Sequence, residues 1–283
     1  MSKVFTRRFR VRYSEIGADG WVNPANYLNY VVETAYDWGT ANALGMQESE
    51  ALGLAWVVRE TSLEIFQPLA FNDEFDLSIW LMDWRKVRGT RGFKLVRIDS
   101  GKKIAQGAQK IISLDSDTMR PVTPPDGYMD KFQLEQPKRI PLKILPAPME
   151  PEFDHYKSKR HVEWRDLDSL AMVYNSVYVS YAEDAIRSRY LAETGFDDRL
   201  KSDDLVLFMN KLQVKYLLPA KWNNLMEVTT QIYTINQAEI LISFKILDGI
   251  TKSVLTIIYT SWGVFDRKTR EITHIPEYVF EKL

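Results

Sequence analysis

The sequence predicts an α+β protein of two similar halves, in each of which an antiparallel sheet packs around one long helix. Residues 9–40 and 160–191 follow the same plan, in which a short strand leads through an acidic loop into a long helix. Four strand-like segments follow each of these helices, and a proline-rich stretch separates the halves. A long helix with an apolar stripe has to bury that stripe, and the sheet is the only large surface available to cover it.

The two halves are related by an offset of 151 residues, which is the difference between Tyr27 and Tyr178. The offset also places acidic Glu15 on acidic Asp166. It holds for identical residues far from the loops: Val22 and Val173, Tyr30 and Tyr181, Pro68 and Pro219, Asn72 and Asn223, Asp115 and Asp266, Thr118 and Thr269, and Pro125 and Pro276. Agreement at so many separated positions indicates a tandem duplication.

In the first half, the helix is predicted over residues 24–44. Asn23 is its predicted N-cap, with Pro24 in the first turn, and Gly45 is predicted to end it. Apolar side chains at three- and four-residue steps predict one buried stripe: Tyr27, Tyr30, Val31, Thr34, Trp38 and Ala41. Runs rich in β-branched and aromatic residues then predict four strands, at 54–66, 74–84, 92–99 and 103–115.

The second half repeats this order, with a helix predicted over 176–194 and ended by Gly195. Its four strands are predicted at 205–217, 225–235, 239–248 and 254–266. Between the halves, the prolines of residues 136–158 exclude a helix or a central strand and predict a surface linker. The predicted domains are therefore residues 1–135 and 159–283.

Composition argues against several classes of function. The 283 residues carry a formal net charge of −1, so the chain offers no overall field for nucleic acid or an anionic membrane. There is no apolar run of the ~18 residues that a membrane-spanning helix needs, and no signal peptide is recognisable. Cysteine is absent and the three histidines are scattered, which argues against disulfides and metal sites. We expect a soluble, cytoplasmic protein.

Two stretches resemble signatures of known enzymes. YSEIGADGWVNPANYLNYVVETA, which begins at Tyr13, is similar to the first-half signature of plant-type acyl-ACP thioesterases. VEWRDLDSLAMVYNSVYV, which begins at Val162, is similar to their second-half signature and also resembles the motif of 4-hydroxybenzoyl-CoA thioesterases. The resemblance extends over essentially the whole chain. It implies a tandem hotdog fold, in which each half is an antiparallel sheet wrapped around one long helix.

The resemblance also implies a function. The expected protein is an acyl thioesterase of fatty acid biosynthesis, which hydrolyses acyl-ACP or acyl-CoA to a free fatty acid without a cofactor. Its partners would be an acyl carrier protein or a coenzyme A thioester, and a homodimer of tandem hotdogs is one assembly that the resemblance allows. The family's second-half motif implies an Asp, an Asn and a His spaced by two. Asp168 and a later Asn175 match that motif, but Leu170 and Met172 occupy the Asn and His positions.

Asp168 and Asn175 are therefore the predicted catalytic residues. Thioester hydrolysis needs an activated water beside a polarised carbonyl, and Asp168 can act as a general base or as a nucleophile that forms an anhydride. The start of the second helix, with Asn175 as its expected cap, supplies N–H groups and a positive dipole end for the oxyanion. The alternative is that Asp168 is a solvated loop carboxylate or is paired with Arg165.

The first loop offers an alternative site, with Asp19, Glu15 and Asn23 as its candidate residues. Large side chains could line an acyl-binding tunnel, although core packing explains them equally well: Met172, Tyr178, Trp21 and Tyr27. A rival function is a catalytically degenerate hotdog protein that binds acyl chains or acyl carriers without turnover. A hotdog dehydratase would need a histidine paired with an acid, and His161 at a strand start fits that role poorly.

Basic residues in two segments are candidates for docking an acidic carrier protein or its phosphopantetheine. They lie between Arg7 and Arg12 and around the predicted linker: Lys138, Arg139, Lys143, Lys157, Lys159 and Arg160. Scattered surface cations usually serve only solvation, which is the alternative here.

Overall fold

The computed structural model describes residues 4–132, 139–145, 156–188 and 196–280. It divides into two compact units, the first formed by residues 1–22, 26–64 and 69–142, and the second by residues 23–25, 65–68 and 143–283. The domain boundaries placed at residues 135 and 159 stay predictions. Most of the predicted linker lies outside the described residues, as do the expected end of the second helix and Gly195.

In the first unit, five strands form a sheet in the order β1-β3-β4-β5-β2, and the pairs β1/β3, β3/β4 and β4/β5 are antiparallel. The strands are β1 (Phe5–Arg10), β2 (Leu54–Ile65), β3 (Glu74–Arg85), β4 (Arg88–Arg97) and β5 (Lys103–Asp115). All four strands predicted after the helix are confirmed. The predicted bounds of β4 were wrong, because the strand starts at Arg88 rather than residue 92 and ends at Arg97 rather than residue 99.

The long helix of this unit, α1 (Pro24–Ala41), begins directly after Asn23 as predicted. The predicted stripe is buried except for Ala41, which is exposed. The predicted end of the helix was wrong. The left-handed residue beyond the helix is Ala43, with φ of 53°. Gly45 has φ of −71° and is instead the N-cap of a short helix, α2 (Met46–Ala51).

Helix α1 packs against the sheet through its aromatic residues. The Tyr30 ring lies 5.1 Å from the ring of Phe9 in β1 and 5.1 Å from that of Phe75 in β3, measured between centroids. Leu77 and Ile79 follow Phe75 at alternate positions and are fully buried, since alternate residues of a strand share one face. This face of the sheet and the stripe of α1 form the core of the unit.

The second unit repeats this architecture, with a sheet in the order β7-β10-β9-β8-β6 and a short β11 paired with β10. Its strands are β6 (Tyr156–His161), β7 (Leu205–Tyr216), β8 (Leu225–Ile235), β9 (Ile240–Asp248), β10 (Val254–Asp266) and β11 (Ile272–Thr273). The equivalent strands occupy the same places in the two sheets. Leu54 and Leu205 both begin a strand, as do Lys103 and Val254, so the 151-residue offset is structural.

The long helix of the second unit is α3 (Asn175–Ile186), and two short helices follow it, α4 (Phe196–Ser202) and α5 (Glu277–Phe280). The two short helices and β11 were not predicted. Buried Val179 and Ala182 lie on α3, and the ring of Tyr178 packs on that of Tyr216 in β7 at 5.8 Å. Each unit is thus an antiparallel sheet packed on one long helix, which confirms the predicted α+β hotdog architecture. In the described part of the chain, no helix is long and apolar enough to cross a membrane.

Candidate active site

The loop before α1 is fixed to the first unit by backbone and tyrosine contacts. The Val22 N–H donates to the Leu69 carbonyl at 2.8 Å, and the Leu69 N–H donates to the Tyr27 hydroxyl at 2.8 Å. Tyr27 is fully buried, as is Leu69. The phenol oxygen therefore satisfies a buried backbone donor, which costs free energy when it is left unpaired. Tyr27, predicted as a substrate-binding residue, is used here to hold the loop.

The loop before α3 has the same frame. The Val173 N–H donates to the Ala220 carbonyl at 3.0 Å, and the Ala220 N–H donates to the Tyr178 hydroxyl at 2.9 Å. Because these contacts recur in both units, the tyrosine–backbone bond is a part of the fold and is not specific to one loop. Tyr178, like Tyr27, has a structural role in addition to any contact with substrate.

The Tyr178→Phe variant is expected to unfold with a free energy lower by about 1–3 kcal/mol, because it leaves the buried Ala220 N–H without an acceptor. Chemical denaturation measures this loss. Tyr27→Phe is the matched variant in the other unit, and a similar loss is expected there. Unchanged stability in both variants would contradict the structural role of the two hydroxyls.

A second duplicated contact joins an acidic residue to a helix tyrosine. In the first unit, Glu15 Oε2 accepts the Tyr30 hydroxyl at 2.6 Å and the Arg12 N–H at 2.7 Å. Burial, followed by the bond to Glu15, raises the pKa of Tyr30 far above its ordinary value. Glu15, proposed above as an alternative catalytic residue, is therefore engaged in holding the loop against α1.

Asp166 is the equivalent of Glu15 and makes the equivalent contacts. Its Oδ2 accepts the Tyr181 hydroxyl at 2.5 Å and the Glu163 N–H at 2.9 Å, and the residue is buried. Burial is again the first cause, and the bond to Asp166 the second, of a strongly raised pKa of Tyr181. The acidic positions shared by both loops are thus structural, and a functional carboxylate is better sought where the loops differ.

Asp168 is such a difference, because the equivalent residue of the first loop is Gly17. The backbones agree: the Asp168 N–H donates to the Met172 carbonyl at 2.7 Å, and the Gly17 N–H to the Trp21 carbonyl at 2.8 Å. Only the second loop has a carboxylate at this point. Asp168 Oδ1 accepts the N–H groups of Leu170 at 2.9 Å and Met172 at 3.1 Å, which fixes the orientation of the side chain.

The half-buried Asp168 has a perturbed pKa. Burial raises the pKa of its carboxyl above the ordinary value and outweighs the two backbone N–H bonds, which lower it. The pKa of Tyr178 is raised to about 12, first by burial and also by the charge of Asp168, whereas the Ala220 N–H lowers it. Asp168 therefore lies within electrostatic reach of the first turns of α3. A raised carboxylate pKa beside a helix start is a feature of acid–base sites.

The start of α3 differs from the prediction. The N-cap is Tyr174, without a side-chain cap, and Asn175 is the first helical residue, so the expectation that Asn175 caps the helix was wrong. The Asn175 carbonyl accepts the hydroxyl of Tyr216 at 3.1 Å. Sequence reasoning missed Tyr216; its only signal is that the equivalent residue of the first half of the sequence is Ile65.

The remaining candidates lie in the first loop or are apolar. Asp19 Oδ1 accepts the Trp21 N–H at 3.0 Å, and Asn23 directly precedes α1. Trp21 is buried, whereas Met172 is half-buried in the second loop. The structure thus groups Asp168, Met172, Tyr178 and Asn175 in one loop and helix start, and Asp19, Glu15, Asn23, Trp21 and Tyr27 in the other. Within the described residues, no group of three or more acidic or histidine side chains could hold a metal ion.

Two family models match the chain. Residues 2–132 match the model of the acyl-ACP thioesterase N-terminal domain. Residues 162–283 match the model of the thioesterase-like superfamily. No curated protein sequence matches. Each match covers one of the two duplicated halves of the chain.

Several solved structures are similar over nearly the whole chain. A protein assigned as an oleoyl thioesterase from Lactobacillus plantarum is 18% identical, with a TM-score of 0.77 and 97% of both chains covered. The 12:0-ACP thioesterase from Umbellularia californica is 17% identical, with a TM-score of 0.73 and coverage of 92% of this chain and 93% of that chain. An acyl-ACP thioesterase from Bacteroides thetaiotaomicron is 15% identical, with a TM-score of 0.69, covering 93% and 100%. At these identities the likeness establishes the fold.

Proposed function

We infer that this chain is a thioester hydrolase of the acyl-ACP thioesterase family and that it catalyses hydrolysis at the loop and helix start of its second unit. The family acts on acyl thioesters, and the chain hydrolyses such substrates, on acyl carrier protein or coenzyme A, to a free fatty acid. The assignment of the site to Asp168 and the start of α3 is the new element of the proposal.

The observation that carries the assignment is the contrast between two loops built on one frame. Both loops have the acid–tyrosine contact and the tyrosine–backbone contact, so these account for folding. Asp168 stands where the first loop has glycine, and its carboxyl has a raised pKa. A partly desolvated carboxylate, at a position where the other loop folds with glycine, is the best candidate for chemistry.

The proposed reaction begins with a water between Asp168 and the thioester carbonyl. Asp168 takes a proton from the water while the water oxygen bonds to the carbonyl carbon. The thioester carbonyl thereby becomes a tetrahedral oxyanion. First-turn N–H groups of α3 and the positive end of its dipole stabilise that charge. When the C–S bond breaks, the proton on Asp168 passes to the leaving thiolate, which regenerates the carboxylate and releases the acid and the thiol.

Attack by Asp168 itself would give the same products through an anhydride. The two routes differ in where oxygen from water is incorporated. In the anhydride route, water that attacks the Asp168 carbonyl leaves its oxygen on Asp168, whereas the general-base route places it only in the fatty acid. Label found by mass spectrometry in the Asp168 peptide after a single turnover in ¹⁸O-water would therefore demonstrate the anhydride.

Asn175 and Met172 take supporting roles in this proposal. Asn175, as the first residue of α3, presents its backbone N–H at the helix start, and the Tyr216 hydroxyl bound to its carbonyl holds that turn in place. Met172 lies half-buried at the closure of the Asp168 loop, where it would contact the acyl group near the thioester. Tyr178 would line the same pocket while holding Ala220.

The test is a comparison of Asp168→Asn with its matched variant in the other loop, Asp19→Asn. Both are assayed for fatty acid release from acyl-ACP and acyl-CoA. The proposal requires loss in the Asp168 variant and near wild-type turnover in the Asp19 variant; the reverse result would move the site to the first loop. A wild-type protein that co-purifies with fatty acid but hydrolyses no thioester would instead support the acyl-binding alternative.

The pH dependence of kcat/KM is expected to show an acidic limb that reports Asp168. A general base works only when it is deprotonated, so activity should fall as the pH decreases through the pKa of this carboxyl. Because burial raises that pKa, the limb should lie above the ordinary aspartate value of about 3.9. Thermal unfolding over the same pH range controls for acid denaturation. A profile that stays flat down to about pH 4, with the fold intact, would contradict the prediction.

A homodimer of tandem hotdogs and a cytoplasmic location stay predictions. Light scattering of the purified protein at several concentrations measures the first, and fractionation of cells that express it measures the second.

A further inference from the structure

The first unit has a basic cleft of about 220 Å³ on its sheet, at the hairpin between β3 and β4. The residues that line it are Asp83, Arg85, Arg88, Gly89, Thr90, Lys110 and Arg139. Thr90 and Arg88 alternate along β4 with the fully buried Phe93, so they point to the face opposite to the core. The cleft is therefore separate from the helix-facing interior of the unit.

The acidic side chains at the cleft are already engaged. Asp83 Oδ1 accepts the hydroxyl of Thr90 at 3.2 Å, and Glu60 Oε1 forms an ion pair with Lys110 Nζ at 2.7 Å. Arg85, Arg88 and Arg139 form no ion pair within the described residues. The cleft thus presents three exposed guanidinium groups against one lining carboxylate, that of Asp83.

Basic side chains of the β3–β4 hairpin lie close enough to repel one another. Arg85 and Arg88 are direct cross-strand partners, and Lys86 lies in the turn between them with φ of 51°. Like charges directly opposite each other destabilise a hairpin. The chain as a whole has a net charge of −1, so this excess is local and does not reflect a generally basic surface.

The third arginine, Arg139, reaches the cleft from a separate segment, residues 139–141, that is hydrogen-bonded to the sheet. The Ser62 hydroxyl donates to the Pro141 carbonyl at 2.9 Å, and the Ile140 N–H lies 3.3 Å from the sulfur of Met82. Arg139 directly precedes these contacts, so its backbone is held at the rim of the cleft. Basic groups from two separate parts of the chain therefore converge on one open surface.

We propose that this basic cleft is the docking surface for the acidic carrier protein that presents the acyl thioester. The inference rests on the proposed function, since it assumes a carrier-bound substrate. A single small phosphate would engage one or two of the cations, whereas a protein surface bearing several carboxylates engages the exposed hairpin and Arg139 together. Complementary charge of this kind raises the rate of association, and added salt weakens the attraction because it screens exposed charges.

The test removes the three unpaired arginines in an Arg85→Ala, Arg88→Ala, Arg139→Ala variant. Its KM for acyl-ACP is expected to rise about tenfold, with kcat unchanged and with a weaker salt dependence of kcat/KM. Its KM for acyl-CoA with the same acyl chain should stay near the wild-type value. The matched control is a Lys102→Ala, Arg120→Ala, Lys131→Ala variant, which removes three exposed cations of the same unit outside the cleft.

Three results would overturn the proposal: an unchanged KM for acyl-ACP, an equal rise in the control variant, or an equal rise for acyl-CoA. The last would indicate that the cleft binds the phosphate of the pantetheine arm. Titration of the protein with holo carrier protein, followed by calorimetry, needs no turnover, and the cleft variant should bind about tenfold more weakly. Asp168→Asn should bind the carrier like the wild type, so failure of the active-site assignment and failure of the docking surface are distinguished.

Discussion

Asp168→Asn is expected to lower kcat for acyl thioester hydrolysis by about 10²–10⁴-fold, the usual contribution of a general base. The amide oxygen of asparagine can still accept the N–H groups of Leu170 and Met172, so the loop should keep its conformation. What is lost is the ability to take a proton from water or to attack the carbonyl. Stopped assays of fatty acid release from acyl-ACP and acyl-CoA measure the change.

The stability of this variant provides an independent check. Because burial raises the pKa of Asp168, the folded state binds a proton more tightly than the unfolded state. Stability therefore falls as the pH rises from the unfolded pKa through the folded pKa, and at neutral pH the charged carboxylate is a net cost. Asp168→Asn removes this cost, so it should unfold at an equal or higher denaturant concentration at pH 7. A less stable variant would show that its activity loss came from damage to the fold.

The largest effect on stability is expected from Gly107→Ala in β5, with a loss of about 3–5 kcal/mol. Gly107 pairs with Phe93 of β4 across the sheet. A Cβ atom at this position would lie far inside contact distance of the Ser62 carbonyl oxygen in β2 and of the Phe93 ring. The carbonyl belongs to the backbone of a neighbouring strand and cannot move aside without distorting the sheet. Chemical denaturation or, if the variant does not fold, its soluble yield measures the effect.

Gly45→Ala is the control for this substitution. Its added Cβ would meet Glu48 Oε2 and Thr40 Oγ1, each at 2.9 Å, and both atoms are ends of side chains that can shift. The expected change is below about 1 kcal/mol. Equal losses of unfolding free energy in the two variants would mean that the sheet adjusts to remove the backbone clash at Gly107.

The duplication could be read from the sequence because it leaves identical residues at a fixed offset. Tyr27 and Tyr178 pointed to equivalent helices, and the strand patterns predicted all eight long strands that follow them. Strand and helix periodicities are local properties, so a single sequence shows them without knowledge of contacts. The prediction of where α1 ends was wrong because Ala43 adopts the left-handed conformation that was expected at Gly45.

The candidate site was only partly predictable. Asp168 was found through its resemblance to a family motif, and its raised pKa depends on burial that the sequence does not show. The catalytic role of Glu15 stays a prediction, although its carboxylate is bound by the Tyr30 hydroxyl. The expectation that Asn175 caps the helix was wrong, because the N-cap is Tyr174.

The sequence by itself determined the duplicated α+β architecture, the succession of helices and long strands along the chain, and two loops with candidate carboxylates, at Asp168 and at Asp19. Only the tertiary structure decided which of the loop carboxylates accept a hydrogen bond from a helix tyrosine. It also placed Tyr216 at the start of α3 and brought Arg139 to the basic cleft of the β3–β4 hairpin. The physical reason is that hydrogen bonds and desolvation join residues far apart in the chain. In the stretch from Asp166 to Asp168, one carboxylate is thus held by a buried tyrosine, and the other, which has a raised pKa, is the one that we propose to act on substrate.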